Sequence, residues 1–250
     1  LSMSTFLLTL NGNFINNGGT ASGTAGGVTI TGTATQSIGA FTTTGTVLMS
    51  KTGGVATLTG NVNGGPLTIN GSIGTLNLGV GLTHTFTGDV SLTAGILNGG
   101  SSTLNANSST ATAWNGTGSV FTANTGTVNF GASGNQTIAA NSVFYNLAFS
   151  GSGTKILTNV TTINNNFSVS GSAVVNLGNG AVDHTAKSLT LGGINQSSGT
   201  WGGTAATPNF VNDTYFLSTA TRALNVDCTA PVAPTSGGDK TICSGQTIPT

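Results

Sequence analysis

Apolar and polar residues alternate along much of this chain. Val28-Thr29-Ile30, Leu67-Thr68-Ile69, Leu76-Asn77-Leu78, Val90-Ser91-Leu92, Val128-Asn129-Phe130, Phe167-Ser168-Val169 and Leu189-Thr190-Leu191 all follow a period of two. That spacing predicts short strands with one face buried. Clusters of Gly and Asn separate the runs, as turns require. No stretch carries helical periodicity.

The alternation is itself repeated. Thr29-Ile30-Thr31-Gly32, Thr57-Leu58-Thr59-Gly60 and Thr85-Phe86-Thr87-Gly88 recur at one unvarying interval. Blocks 57–84 and 85–112 further share Val62/Val90, Asn70-Gly71/Asn98-Gly99 and Leu76-Asn77/Leu104-Asn105. A fixed period of this size marks a stacked repeat, in which each unit buries its apolar side only against its neighbours. Strand centres fall roughly ten residues apart, so three strands make one coil of about 28 residues. The fold class expected is all-β, a right-handed parallel β-helix, with one strand per side in each coil. Ile30, Leu58, Phe86, Val62, Val90, Leu76 and Leu104 are the expected repeat core, with Leu58 and Phe86 one above the other. Phe14, Phe86, Phe130, Phe149 and Phe167 are candidates for interior aromatic stacks, and Asn at equivalent corners for amide ladders.

The pattern changes near residue 194. Residues 1–193 read as the β-helix and 194–227, with Trp201 and Tyr215-Phe216-Leu217, as a unit that closes its apolar end. Residues 228–250 read as a linker stiffened by Pro231 and Pro234, then the start of another module. The chain begins without Met in a repeat-like phrase and is expected to be an internal piece of a longer protein.

Only 4% of the residues are charged, against about 25% in an ordinary soluble domain. Formal net charge is zero, so no basic footprint for nucleic acid exists. No apolar run approaches the ~20 residues that span a bilayer, and membrane insertion is not expected. The acidic residues Asp89, Asp183, Asp213, Asp227 and Asp239 are scattered. Acid–base hydrolysis and calcium binding need clustered carboxylates. The nearest to a cluster is Asp183-His184 with Lys187; a solvated corner explains it equally well. His84 and Asp89 are near in sequence only. The expectation is therefore no enzyme, no catalytic residue, no metal and no cofactor. Trp114, Trp201 and Tyr215 are candidate platforms for sugar rings if exposed, and core or cap residues otherwise. The Thr-x-Thr phrases at 29, 57 and 85 form an ice-binding row if they stack into one face; high strand propensity of Thr is the plainer account.

Several phrases resemble large secreted surface adhesins of the Bacteroidetes. Asn11-Gly12-Asn13-Phe14, Gln36-Ser37-Ile38, and Gln136-Thr137-Ile138 followed by Phe144-Tyr145-Asn146-Leu147 resemble their β-helical repeats. Ser198 through Trp201-Gly202-Gly203 with Asn212-Asp213-Thr214-Tyr215-Phe216 resembles the terminal unit of such arrays. Ala233-Pro234-Thr235 with Asp239 through Ile242-Cys243 resembles the start of their tandem immunoglobulin-like modules. The resemblance implies type IX export, display outside the cell attached to the outer membrane, and roles in attachment and gliding. The partners it implies are host, abiotic or polysaccharide surfaces and further domains of the same chain. A carbohydrate-binding or carbohydrate-active β-helix and an ice-binding segment are the alternative readings. In an exported chain, Cys228 and Cys243 flanking the linker favour a disulfide between them. The alternative is that Cys243 pairs beyond Thr250.

Overall fold

The computed structural model describes residues 2–227, apart from 20, 24, 111 and 141–142. The linker, both cysteines and the immunoglobulin-like start lie outside the described residues. The chain is a β-solenoid of about 9 turns of stacked parallel strands, with strands over 51% of the chain. Its only helical piece among the described residues is the short 3-10 turn Thr204–Ala206.

Each coil contributes three strand segments, one to each of three faces. The first face carries Phe41–Thr43, Val62–Gly64, Thr83–Phe86, Thr103–Ala106, Thr127–Phe130 and Asn146–Phe149. The second carries Leu8–Leu10, Val28–Ile30, Val47–Met49, Trp114–Asn115 and Gln136–Ala139. The third carries Gln36–Ile38, Val55–Leu58 and Val120–Thr122. Some strands continue around a corner: Leu67–Asn77 and Val90–Asn98 join second to third face, Thr162–Val169 and His184–Leu191 third to first. These continuous strands merge the ladders into two hydrogen-bonded sheets of 15 and 12 strands.

The coil is shorter than the sequence period. On the second face Val28 pairs with Val47, Val47 with Leu67, Leu67 with Val90 and Val90 with Trp114. One coil is therefore roughly 19–24 residues, at the short end of solenoid repeats. A side with its corner takes a third of that. The interval between the phrases at 29, 57 and 85 thus spans four sides, one turn plus one side. Ile30 accordingly lies on the second face, Leu58 on the third and Phe86 on the first. Leu58 does not stack on Phe86; its lower partner is Ile38. Val62 and Val90 likewise sit on different faces, as do Leu76 and Leu104. The repeated unit is the side, because all three sides face the same core and turn the same kind of corner.

The core follows from the alternation. Strands such as Val28–Ile30 and Val47–Met49 bury their first and third residues and leave the second half-exposed. Ile30, Leu58, Phe86, Val62, Val90, Leu76 and Leu104 are all buried. The aromatic column holds three of the expected rings, Phe130 on Phe149 at 5.7 Å and Phe149 on Phe167 at 5.1 Å. Trp114 continues it, 6.1 Å from Phe130 and 5.8 Å from Phe144. Phe14 is only half-buried against Phe41, and Phe86 pairs with Ala106 and Gly64 outside the column.

One corner recurs in the same form on different faces. In Asn77-Leu78-Gly79, Asn98-Gly99-Gly100 and Asn176-Leu177-Gly178 the Asn Oδ1 accepts the Gly N–H at 2.8–2.9 Å. Gly79 and Gly100 take φ of +81° and +57°, and a Cβ on Gly100 would collide with the Gly79 carbonyl. Only glycine fits a left-handed corner stacked this closely.

Beyond Leu191 the pairing changes sense. Gly199–Gly202 runs antiparallel to Leu224–Val226, which itself stacks parallel on His184–Ala186. Phe216 is buried on Val175, and Trp201 stacks on Phe210 at 4.6 Å. Asp213 holds the 3-10 turn, accepting Thr204 N–H at 2.9 Å and its hydroxyl at 2.6 Å.

Candidate functional site

Most candidate chemical groups turn inward and serve the fold. Lys51 and Lys155, which charge alone would place in solvent, are fully buried. Lys51 Nζ donates to the carbonyls of Ala34 at 2.8 Å and Gly32 at 3.3 Å, and to Gln36 Oε1 at 2.6 Å. Lys155 Nζ donates to Ala132 O at 2.8 Å, Gly134 O at 3.1 Å and Gln136 Oε1 at 2.7 Å. Each glutamine then passes its amide N–H groups to the coil below. Gln36 reaches the carbonyls of Leu10 and Gly12, and Gln136 those of Ala106 and Ser108. Burial lowers the pKa of both lysines, Lys155 to about 8. In each clip three acceptors match the three protons of an ammonium.

The two Lys–Gln clips share a local structure at different corners. Gln36 opens the third face and Gln136 the second. The related phrases at 28–38 and 128–138 stand about fourteen sides apart, four turns and two sides, so they fall on different faces. The Gln-x-Ile phrase is visible twice in the chain, but nothing local to it signals that Lys51 or Lys155 returns to it from the next coil.

The histidines form a second duplicated device. His84 Nδ1 accepts the Val62 N–H at 3.1 Å and Nε2 bonds the Leu78 carbonyl at 2.8 Å. His184 repeats this with Thr161 N–H at 3.1 Å and Leu177 O at 2.8 Å. Both rings are fully buried. An imidazole that accepts at Nδ1 and donates at Nε2 must be neutral. Burial, the largest cause, lowers both pKa values, while the Leu78 and Leu177 carbonyls raise them; Arg222 also lowers and Asp183 also raises that of His184. The unfolded chain then binds protons that the folded chain refuses. Stability is full above the ordinary histidine pKa of about 6.5 and falls as pH drops below it. The urea midpoint should decline between pH 7.5 and 5.0, and the decline should flatten in His84→Gln/His184→Gln. Equal midpoints at the two pH values in the parent chain would contradict this.

The carboxylates are also occupied. Asp89 accepts the hydroxyls of Ser108 and Thr110, both at 2.5 Å. Asp183 accepts the Ala223 N–H at 2.9 Å, while Lys187 is exposed and His184 points into the core. The structure does not bring Asp183, His184 and Lys187 together, and His84 is turned away from Asp89. Among the described residues no three of His, Cys, Asp and Glu are grouped to hold a metal.

The candidate sugar platforms are turned to other uses. Trp114 is fully buried, and Trp201 is 7% exposed with its Nε1 donating to Ser197 O. Tyr215 is half-buried against the core. Indoles fill the interior because that is where the largest apolar area is removed from water. The three Thr-x-Thr phrases lie on three different faces, so they make no common row.

What remains is the outer surface. On the first face Thr83, Thr103, Thr127 and Asn146 are in register, forming one outward rank. Thr85, Asn105 and Asn129 form a second rank that ends at Ala148. The expected corner ladder has steps at Asn124 Nδ2 to Asn98 Oδ1, 2.6 Å, and at Asn165 Nδ2 to Asn146 Oδ1, 2.8 Å. Longer side-chain ladders run on the flat of the first face instead. Asn129 Nδ2 donates to Asn105 Oδ1 at 3.0 Å, Ser150 Oγ to Asn129 Oδ1 at 2.9 Å and Asn146 Nδ2 to Thr127 Oγ1 at 3.3 Å. The second face is interrupted outward by Leu48 and Ala139. At the corner from second to third face lies a shallow groove of about 470 Å³, lined by Ser72, Ile73, Gly95, Ile96, Gly118 and Val120. The chain matches no protein-family model, no curated protein and no solved structure.

Proposed function

We propose that this chain is a non-enzymatic segment of a large bacterial cell-surface adhesin, a stiff stalk that presents ordered polar faces for attachment. The observation that carries the reading is where the ionisable groups go. Lys51, Lys155, His84 and His184 are spent on internal hydrogen bonds, Asp89 and Asp183 on segments far along the chain, and Asp213 on the 3-10 turn. Acid–base or metal chemistry needs such groups converging on a cleft, and here they hold coils together instead. Nine turns at about 4.8 Å per strand give a rod of roughly 40 Å. Every backbone ladder along it resists bending. The likeness of its phrases to Bacteroidetes surface proteins supports outer-membrane display, type IX export and a part in attachment or gliding.

Beads carrying the chain should adhere under flow to polysaccharide-coated or abiotic surfaces, and bare beads should not. The same preparation should release no reducing ends or unsaturated sugars from neutral or acidic polysaccharides. A chelator should leave its melting temperature unchanged. Turnover of any of these polymers would replace the stalk reading with an enzymatic one.

A further inference from the structure

We infer that the first face is the ligand surface of this stalk and that its ligand is a neutral polysaccharide lying extended along the rod. The inference rests on the adhesin reading and adds the face and the ligand chemistry. Positions within a rank repeat at about 4.8 Å, and the two ranks stand about 7 Å apart, two residues along a strand. Over Thr83–Phe86, Thr103–Ala106, Thr127–Phe130 and Asn146–Phe149 the register is unbroken, although the coils that join them differ in length. The added residues go to corners elsewhere and leave this patch regular.

The chemistry of the patch selects its partner. Hydroxyl and amide groups each donate and accept, so the complementary group is another hydroxyl or amide. The ranks carry no charge, so phosphate or carboxylate polymers gain no attraction there. They carry no aromatic or bulky apolar side chain, so an apolar surface gains no buried area. A ladder of side chains already bonded to one another is fixed before contact, which lowers the ordering cost of binding. An array that repeats along one axis gains most from a ligand that repeats along the same axis, through many weak contacts made at once. A neutral polysaccharide meets all four conditions.

The test is co-sedimentation of the chain with microcrystalline cellulose and with chitin, against alginate as the anionic polymer. The chain should be depleted by at least one of the two neutral polymers and not by alginate. Thr83→Lys, at an exposed position, and Thr103→Glu/Asn129→Glu should each lower the bound fraction about tenfold. Thr29→Lys/Thr68→Lys on the second face should leave it unchanged. Circular dichroism and melting temperature establish that each variant is folded, and Thr83→Lys keeps the test valid if the ladder variant is not. Depletion that first-face substitutions leave intact, binding to alginate alone, or no depletion by either neutral polymer would overturn the inference. So would adsorption to ice that the first-face variants abolish without any polysaccharide binding. If beads adhere under flow but neither neutral polymer binds, the adhesin reading stands and the ligand assignment falls. If beads adhere to nothing, the adhesin reading falls first.

Discussion

Phe149→Ala should cost about 3–5 kcal/mol of stability, the range for removing a fully buried aromatic ring. Phe149 sits between Phe130 and Phe167 in the interior column, with ring centroids at 5.7 and 5.1 Å and near-perpendicular planes. Edge-to-face contacts add to the area term. The wall cannot close over the gap, because the strand Asn146–Phe149 is bonded to Thr127–Phe130 below and to Thr162–Val169 above. The cavity therefore persists, and cavity persistence is what moves a large-to-small substitution toward the upper end of its range. Phe6→Ala is the control, since Phe6 is 77% exposed and a surface change of this kind stays within about 0.5 kcal/mol. Solenoids share stability between neighbouring coils rather than across the whole chain. Urea unfolding should accordingly be read together with amide exchange, and the loss of protection should centre on residues 127–169. Loss spread evenly from 28 to 191 would show that the column does not act locally.

The class of fold was legible in the chain, and its pitch was not. Alternation in Val28-Thr29-Ile30 and its relatives gives strands, and strands with no helix between them that recur at fixed intervals give a solenoid of parallel strands. The same alternation picked out Ile30, Leu58, Phe86 and the other core positions, because inward and outward are decided within one strand. The coil length is decided between strands. Thr57-Leu58-Thr59 and Thr85-Phe86-Thr87 match because each ends a side before a corner, and Thr59 and Thr87 both donate from Oγ1 to a carbonyl of the coil below, Ile38 and Gly64. Such a match recurs at any whole number of sides, so the interval between the phrases does not distinguish three sides from four. Once the pitch is wrong, every outward column is wrong, which is why the ranks on the first face were invisible. Trp114 stayed open between sugar platform and core for a different reason. It lies in a turn-rich stretch, yet its partners Val90 and Ile138 place it on the inner wall of the second face. Lys51 and Lys155 carry no signal of burial in the sequence, because a lone lysine is ordinarily solvated, and only the acceptors of Gln36, Gln136 and four carbonyls make burial tolerable.

Those lysines set the other large effect. Gln136→Leu should destabilise the chain by about 3–5 kcal/mol, because it strands a buried ammonium. Gln136 Oε1 accepts from Lys155 Nζ at 2.7 Å and from the Ala132 N–H at 3.2 Å. Its Nε2 supplies the Ala106 and Ser108 carbonyls at 2.7 and 2.8 Å. The leucine leaves Lys155 with two acceptors for three protons and leaves two carbonyls of the lower coil unpaired. Lys155→Met alone should cost less, roughly 1–3 kcal/mol, since it orphans acceptors and no charge. The double variant Gln136→Leu/Lys155→Met should be more stable than Gln136→Leu alone, because the stranded charge is gone and the new side chains pack as apolar groups. Gln36→Leu and Lys51→Met at the equivalent corner should show the same order. The measurement is a double-mutant cycle in urea at pH 7, below the Lys155 pKa of about 8. A double variant whose loss equals the sum of the two single losses would mean that lysine and glutamine stabilise the corner separately and that the clip is not a unit.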